Sequence, residues 1–214
     1  MTRSLTPALA LADAPSPALD LAALVGSAGW SRLPPAVRRR FGPGHAAAVY
    51  TGRMELRCSP VGRVFAWLAR PFGSPLSGVS DAAVPAAVRA FDDGVGGMVW
   101  ERHFDTHVVR STKQMGADGG LLERTDGGLS MGLCVFEEHG TLVFESQRFL
   151  LMLGRLRVRV PGLLSPGTCR VRHTDLGDGL FRFDLDMVHP LWGHTFHQSG
   201  VFADPVADAD GSAQ

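Results

Sequence analysis

The most constraining feature of this sequence is a two-residue alternation of side-chain character that begins at about residue 82. It recurs in short runs, among them residues 98–104, 129–136 and 181–187. Successive side chains of a β-strand point to opposite faces, so this period predicts strands with one buried face. Turn sequences rich in Asp and Gly, such as residues 118–120 and 126–128, separate the runs. The pattern therefore predicts an antiparallel meander.

The spacing of the runs predicts a mainly β fold of about eight to ten strands. An open sheet of that size would leave two unpaired edges, whereas closure into a barrel removes them. We therefore expect a lipocalin-like barrel, with a strongly curved sheet wrapped on a helix as the alternative. A barrel of about eight to ten strands has room for one small ligand.

Two short helices are predicted before the main run of strands. Residues 31–41 start with Ser31 as a candidate N-cap and carry proline in the first turn. Residues 59–70 repeat this arrangement, with Ser59 as the cap and Pro60 at the first helical position.

The chain divides into three predicted parts. Residues 1–29 are predicted to be a disordered or loosely docked arm, 30–203 a single β-barrel-like domain, and 204–214 a disordered acidic tail. The apolar stretch near the N-terminus does not resemble a signal peptide, because acidic residues and prolines interrupt it at Asp13, Pro15, Pro17 and Asp20.

Composition excludes several classes of function. The 214 residues contain 21 basic and 21 acidic side chains, so no net charge attracts nucleic acid. No segment reaches the ~18 consecutive apolar residues of a membrane span. Three widely spaced cysteines favour a reducing compartment, so we expect a cytoplasmic protein. We expect it to be a monomer or a homodimer. Lys113 is the one lysine among the basic residues, and we attribute the excess of arginine to codon bias.

We predict neither a metal nor a cofactor. The sequence has no phosphate-binding loop, no G-x-S-x-G and no H-E-x-x-H. His189, His194 and His197 lie close in sequence, but the strand period places His194 and His197 on opposite faces.

Polar residues on apolar faces are the main candidates for function. Arg102 shares a predicted inward face with Trp100 and Phe104, and Arg148 shares one with Phe144. Glu123 and Gln198 occupy similar positions, and His189 lies at a strand end, where a barrel rim could hold a ligand. A buried charge must be paired. These side chains either form internal ion pairs between strands or converge on the polar end of a mostly apolar ligand.

An ordered set of short motifs resembles a bacterial family, the domain of unknown function number 4166, over about residues 30–203. The set includes Tyr50-Thr-Gly52-Arg-Met-Glu55, Trp100-x-Arg102-x-Phe104, Gly119-Gly-Leu-Leu-Glu123, Leu142-x-Phe144-x-Ser146-x-Arg148 and His189-Pro-Leu-Trp-Gly193. The resemblance implies an all-β soluble domain, sometimes attached to an oxidoreductase-like domain, with no assigned activity. It also implies recurring polar positions at Arg102, Glu123, Arg148 and His189.

These observations leave three hypotheses open. The first is binding of an apolar or amphipathic small molecule in the barrel. The second is cofactor-free isomerisation or cyclisation of a polyketide- or terpene-like molecule. The third is a non-catalytic partner domain that docks on an oxidoreductase. The predicted catalytic residues are Glu123, His189 and Arg148, and the predicted ligand-binding residues are Trp100, Arg102, Phe104, Met131, Phe144 and Gln198.

Overall fold

The computed structural model describes residues 18–42, 47–73, 76, 78–104, 107–153 and 156–205. Strands dominate these residues, and all the strand pairs are antiparallel. The strands are β1 (Ala48–Cys58), β2 (Asp81–Asp92), β3 (Met98–Phe104), β4 (His107–Met115), β5 (Leu121–Thr125), β6 (Leu129–Glu138), β7 (Thr141–Leu153), β8 (Leu156–Val160), β9 (Thr168–Gly177), β10 (Leu180–His189) and β11 (Gly193–Ala203).

Ten of the described strands form a closed barrel. Strands β1 to β6 follow one another around the barrel, β6 pairs with β7, and β7 pairs with β9. Strands β9, β10 and β11 continue the ring, and β11 returns to β1. Strand β8 lies outside the ring and pairs with the second half of β7. The predicted barrel is thus confirmed, with one additional strand.

Three short helices lie at one end of the barrel: α1 (Leu21–Val25), α2 (Ser27–Arg32) and α3 (Pro35–Phe41). The predicted single helix over residues 31–41 is wrong at its start. Leu33 is extended, with ψ near 142°, and separates α2 from α3. Residues that precede proline avoid the helical region, and both Leu33 and Pro34 do so.

Helix α3 closes this end of the barrel by inserting Phe41 among the inward-facing side chains. The Phe41 ring lies 5.6 Å from Trp100 and 4.7 Å from His173, between ring centroids. The neighbouring Arg40 is buried and forms a bidentate ion pair with Asp204, at 2.8 Å, just after β11. This charge-assisted pair joins the helix to the last strand of the ring.

Helix α4 (Pro60–Ala69), followed by a 3-10 turn over Arg70–Phe72, covers the opposite end. Its predicted cap is confirmed, because the Ser59 hydroxyl accepts a hydrogen bond from the Gly62 amide at 3.0 Å. Phe65 and Ala66 face the barrel and are buried. None of the helices in the described ranges is long and apolar enough to cross a membrane.

The two predicted terminal segments fall partly outside the described residues. Residues 1–17 of the arm and 206–214 of the tail lie there. Residues 18–29 include α1 and the start of α2, and Leu21 is buried against the barrel core. Asp204 belongs to the predicted tail, and it holds Arg40.

Candidate functional site

A cluster of three charged side chains lies inside the barrel, on neighbouring strands β3, β4 and β5. Lys113 Nζ is 3.1 Å from Glu123 Oε2, and Arg102 Nη2 is 3.6 Å from Glu123 Oε1. The Ser111 hydroxyl donates a hydrogen bond of 2.6 Å to Glu123 and accepts one of 3.2 Å from Arg102. The strand register places Lys113 opposite Glu123 on β5, which explains the close pairing.

The cluster holds two cations and one carboxylate, and its pKa values reflect this imbalance. Burial raises the pKa of Glu123, but Lys113 and Arg102 outweigh that effect and bring it to about 2. Burial lowers the pKa of Lys113, and Arg102 lowers it further against the opposing effect of Glu123. Glu123 therefore stays ionised, and Lys113 is the member of the cluster that gives up its proton most readily, since arginine does not.

Aromatic side chains surround the cluster. Lys113 Nζ lies 5.3 Å from the Trp100 ring centroid and 5.6 Å from that of Phe144, within the range of cation–π attraction. His173 lies beyond them, with its centroid 5.3 Å from Phe183. Burial lowers the pKa of His173 well below its usual value, so the imidazole is neutral.

Two adjoining cavities occupy the interior. The central one has a volume of about 60 Å³, and Arg102, Lys113 and Glu123 are among its lining residues. The second, of about 210 Å³, lies beneath α4 and is lined mainly by apolar side chains. We call the second one the end cavity; its lining includes Phe65, Phe72, Leu129, Phe149 and Leu164. An apolar cavity of about 150 Å³ is sufficient for benzene, so the end cavity could hold a small ring or a short alkyl chain.

Four residues line both cavities and separate one from the other: Leu76, Glu123, Met131 and Met187. Two of them are methionines, whose unbranched side chains change rotamer readily. Glu123 therefore lies at the boundary between the charged centre and the apolar end of the barrel.

The structure brings together most of the residues that the sequence predicts at the site. Glu123 lines both cavities, as does Met131. The remaining predicted residues on the wall of the central cavity are Trp100, Arg102, Phe104, Phe144 and Gln198.

The predicted inward orientation of Arg148 is wrong. Its side chain is 44% exposed and pairs with Asp118 on the outer surface. The cause is a β-bulge: Gly132 pairs with Arg148 and Leu133 with Ser146, so Gln147 is an extra residue in β7. One extra residue reverses the faces of all that follow it, and Phe149 takes the inward position instead.

His189 is buried but does not line either cavity. Its Nδ1 accepts a hydrogen bond from the Leu191 amide at 3.0 Å, and its ring stacks on Trp192 at 4.2 Å. Its Nε2 has no hydrogen-bond partner within the described ranges. The imidazole thus shapes the turn between β10 and β11, away from the charged cluster.

Sequence reasoning missed two members of the cluster, Ser111 and Lys113. Both lie on β4, whose alternation is weak because polar residues occupy both faces. The signal that could have identified Lys113 is its status as the one lysine of the chain. Across the part of the chain that is described, no three His, Cys, Asp or Glu side chains are placed to hold a metal ion.

Comparison with known families places the chain in one of them. The family described as a domain of unknown function (DUF4166) matches residues 33–202, which is most of the chain. The chain belongs to this family. No curated protein and no solved structure matches it.

The family match extends from Leu33, two residues before α3, to Phe202, the penultimate residue of β11, so it includes all ten strands of the barrel ring apart from the last residue of β11. Of the four polar positions that the resemblance implies, Arg102 and Glu123 meet in the DUF4166 barrel interior. Arg148 faces outward and His189 supports a turn. The candidate site is therefore the cluster of Arg102, Lys113 and Glu123 with the adjoining end cavity.

Proposed function

We propose that the protein binds one apolar or amphipathic small molecule inside the barrel, with its polar end at Arg102, Lys113 and Glu123. The observation that carries this proposal is the unbalanced positive charge of a buried cluster that adjoins an apolar cavity. Burying an uncompensated charge costs several kcal/mol. A ligand whose polar end carries negative charge or accepts hydrogen bonds would offset that cost, while its apolar part would fill the end cavity.

The main structural alternative is that the cluster only ties β3, β4 and β5 together. The two interpretations differ in what they require of the end cavity. A purely structural ion pair needs no adjoining apolar space, whereas a ligand site does. Arg148 offers a matched control, because it is an arginine in an ion pair on the outer surface of the same barrel.

Calorimetric titration with hexanoate, octanoate and decanoate tests the proposal. We expect one site per chain and an affinity that rises about fourfold per added methylene until the cavity is full, since each buried CH₂ contributes ~0.8 kcal/mol. Arg102→Ala should weaken octanoate binding by at least about tenfold. Arg148→Ala should leave it unchanged. Absence of saturable binding, affinity independent of chain length, or equal losses in both variants would contradict the proposal.

Isomerisation or cyclisation of a bound polyketide- or terpene-like molecule is an extension of this proposal. Glu123 is its acid–base candidate, because it faces both cavities. Its low pKa makes it a weak base at neutral pH, so binding is better supported than turnover. If such a reaction occurs, Glu123→Gln should abolish turnover while substrate affinity stays within about tenfold. Unchanged turnover in that variant would reject the role.

A second candidate function rests on the outer face of α4. This face exposes Val64, Trp67 and Leu68, and Trp67 is 70% exposed. Exposed apolar side chains grouped on one helix often mark an interaction surface. The alternative function is therefore a non-catalytic partner domain that docks on an oxidoreductase. Trp67→Glu should abolish association with an oxidoreductase-like domain and leave octanoate binding intact; association that survives the substitution would reject this surface.

A further inference from the structure

We propose that Lys113 is a covalent attachment site, whose amine forms a reversible imine with an apolar aldehyde or ketone held in the barrel. The inference rests on the ligand binding proposed above and names the chemical class of the ligand. Amine nucleophiles of this kind are lysines that lie in a desolvated pocket or next to another cation. Lys113 meets both conditions, because it is buried and shares Glu123 with Arg102.

The choice of residue supports a chemical role at this position. The other 20 basic residues of the chain are all arginine, and the one lysine is inside the barrel. If only a permanent positive charge were needed beside Glu123, arginine would supply it, and would do so with better hydrogen-bond geometry. Lysine differs from arginine in being able to lose its proton and act as a nucleophile.

The charge balance of the cluster favours the loss of a proton from Lys113, which must precede attack on a carbonyl group. With Lys113 uncharged, Arg102 and Glu123 remain as one cation and one anion, linked through the Ser111 hydroxyl. Glu123 then keeps two partners and the buried charge sums to zero. Burial, and then Arg102, lower the pKa of Lys113, so this proton is lost more readily than that of an exposed lysine.

The geometry provides for the proton transfers of imine formation. The neutral Nζ attacks the carbonyl carbon and forms a carbinolamine; loss of water then leaves the C=N bond. The two protons of the amine depart with the carbonyl oxygen as that water, so no oxidant or reductant is needed. Loss of the Lys113 proton removes one of the two charges that lower the pKa of Glu123. Its Oε2, 3.1 Å from Nζ, is then placed to receive a proton from the nitrogen of the adduct and return it to the departing oxygen.

The surroundings favour an apolar carbonyl compound. The rings of Trp100 and Phe144 lie beside the amine, and Lys113 is buried. Burial limits the access of water that would hydrolyse the imine. The remainder of the ligand would pass Met131 and Met187 into the end cavity beneath α4. A medium-length alkyl or aryl aldehyde fits this path, with its carbonyl group at Nζ.

Reductive trapping with octanal and sodium cyanoborohydride tests the inference. The chain has one lysine, so peptide mapping distinguishes Lys113 unambiguously from the α-amino group, which serves as the internal reference. We expect Lys113 to gain one octyl group at least about tenfold faster in the native protein than in urea, relative to that reference. Octan-1-ol, which lacks the carbonyl group, should compete with the labelling.

A matched variant provides the control. Lys113→Arg retains a positive charge, and we expect it to lose the interior adduct. If Lys113 is labelled no faster in the native than in the unfolded chain while octan-1-ol binds one to one, the imine is rejected and ligand binding stands. If neither octan-1-ol nor octanoate binds and Lys113 is unlabelled, both proposals fail. The rates of Lys113 labelling in the native wild-type protein and in urea test the imine even if Lys113→Arg does not fold.

Discussion

His173 is a neutral imidazole among aromatic rings and cations. Its ring contacts Phe41 edge-on, with centroids 4.7 Å apart, and its Nδ1 has no partner among the residues described. Burial lowers its pKa, and the positive charges of Arg40 and Lys113 lower it further. His173 therefore stays unprotonated in the folded chain, whereas it binds a proton below pH ~6.5 in the unfolded chain. The free energy of unfolding consequently falls as the pH falls through that value.

This arrangement predicts a specific pH dependence of stability. Between pH 7.5 and 5.5, the free energy of unfolding should fall, approaching ~1.4 kcal/mol per pH unit below pH ~6.5, because the unfolded state binds one more proton. His173→Phe should remove most of that slope, whereas His194→Gln, at an exposed position, should keep it. Urea denaturation at several pH values measures the slopes, and equal slopes in wild type and His173→Phe would refute the assignment.

At the scale of single residues, the alternation of side chains identified Arg102, Glu123 and Gln198 as inward-facing. It failed for Arg148, since the extra residue Gln147 in β7 reverses the faces and leaves no mark in the pattern. It also passed over Lys113, because β4 carries polar side chains on both faces. A two-residue alternation of side-chain character reveals neither a β-bulge nor the inward face of a strand that has polar side chains on both faces.

Helix α4 reaches the barrel because Gly62 has no side chain. A Cβ at this position would clash with the carbonyl oxygen of Thr195 on β11 and lie 3.0 Å from Cys58 Sγ. The Gly62 amide is also the donor to the Ser59 cap. The short distance between Gly62 and Thr195, together with the cap, therefore fixes where the helix starts and how closely it packs over the end cavity.

Gly62→Ala should destabilise the protein, although glycine to alanine within an exposed helix ordinarily stabilises by up to ~1 kcal/mol. We expect a loss of about 1–3 kcal/mol in the free energy of unfolding, because the added methyl group must displace backbone atoms of β11. Val64→Ala, on the exposed face of α4, should change it by no more than about 0.5 kcal/mol. Chemical denaturation of the three proteins is the measurement, and a more stable Gly62→Ala would contradict this packing.

The elements differed in how well the sequence predicted them. The helix at residues 59–70 was recognisable from Ser59 and Pro60, which act locally. Strand β1 was not recognised, because Gly52 lies on its inward face at a position where an apolar side chain would have continued the alternation. Gly52 is required there by the close approach of Val201 and Phe202 on β11, a tertiary contact that the local pattern does not reveal.

For the whole molecule, the number and spacing of strands were enough to predict a closed barrel, but not the space inside it. Aromatic side chains, including Phe41 from α3, fill most of the interior and leave a central cavity of only about 60 Å³. The larger end cavity results from the way α4 covers the opposite end of the barrel. Its size depends on tertiary packing, so periodicity alone could not predict it.

The most direct test of ligand binding is a crystal structure of the protein with 8-iodooctanoic acid, read from the anomalous signal of iodine. We expect one iodine site per chain in the end cavity, near Phe149 and Met187, with the carboxylate within hydrogen-bond distance of Arg102 or Lys113. Iodine found only on the outer surface, with both cavities vacant, would contradict the account.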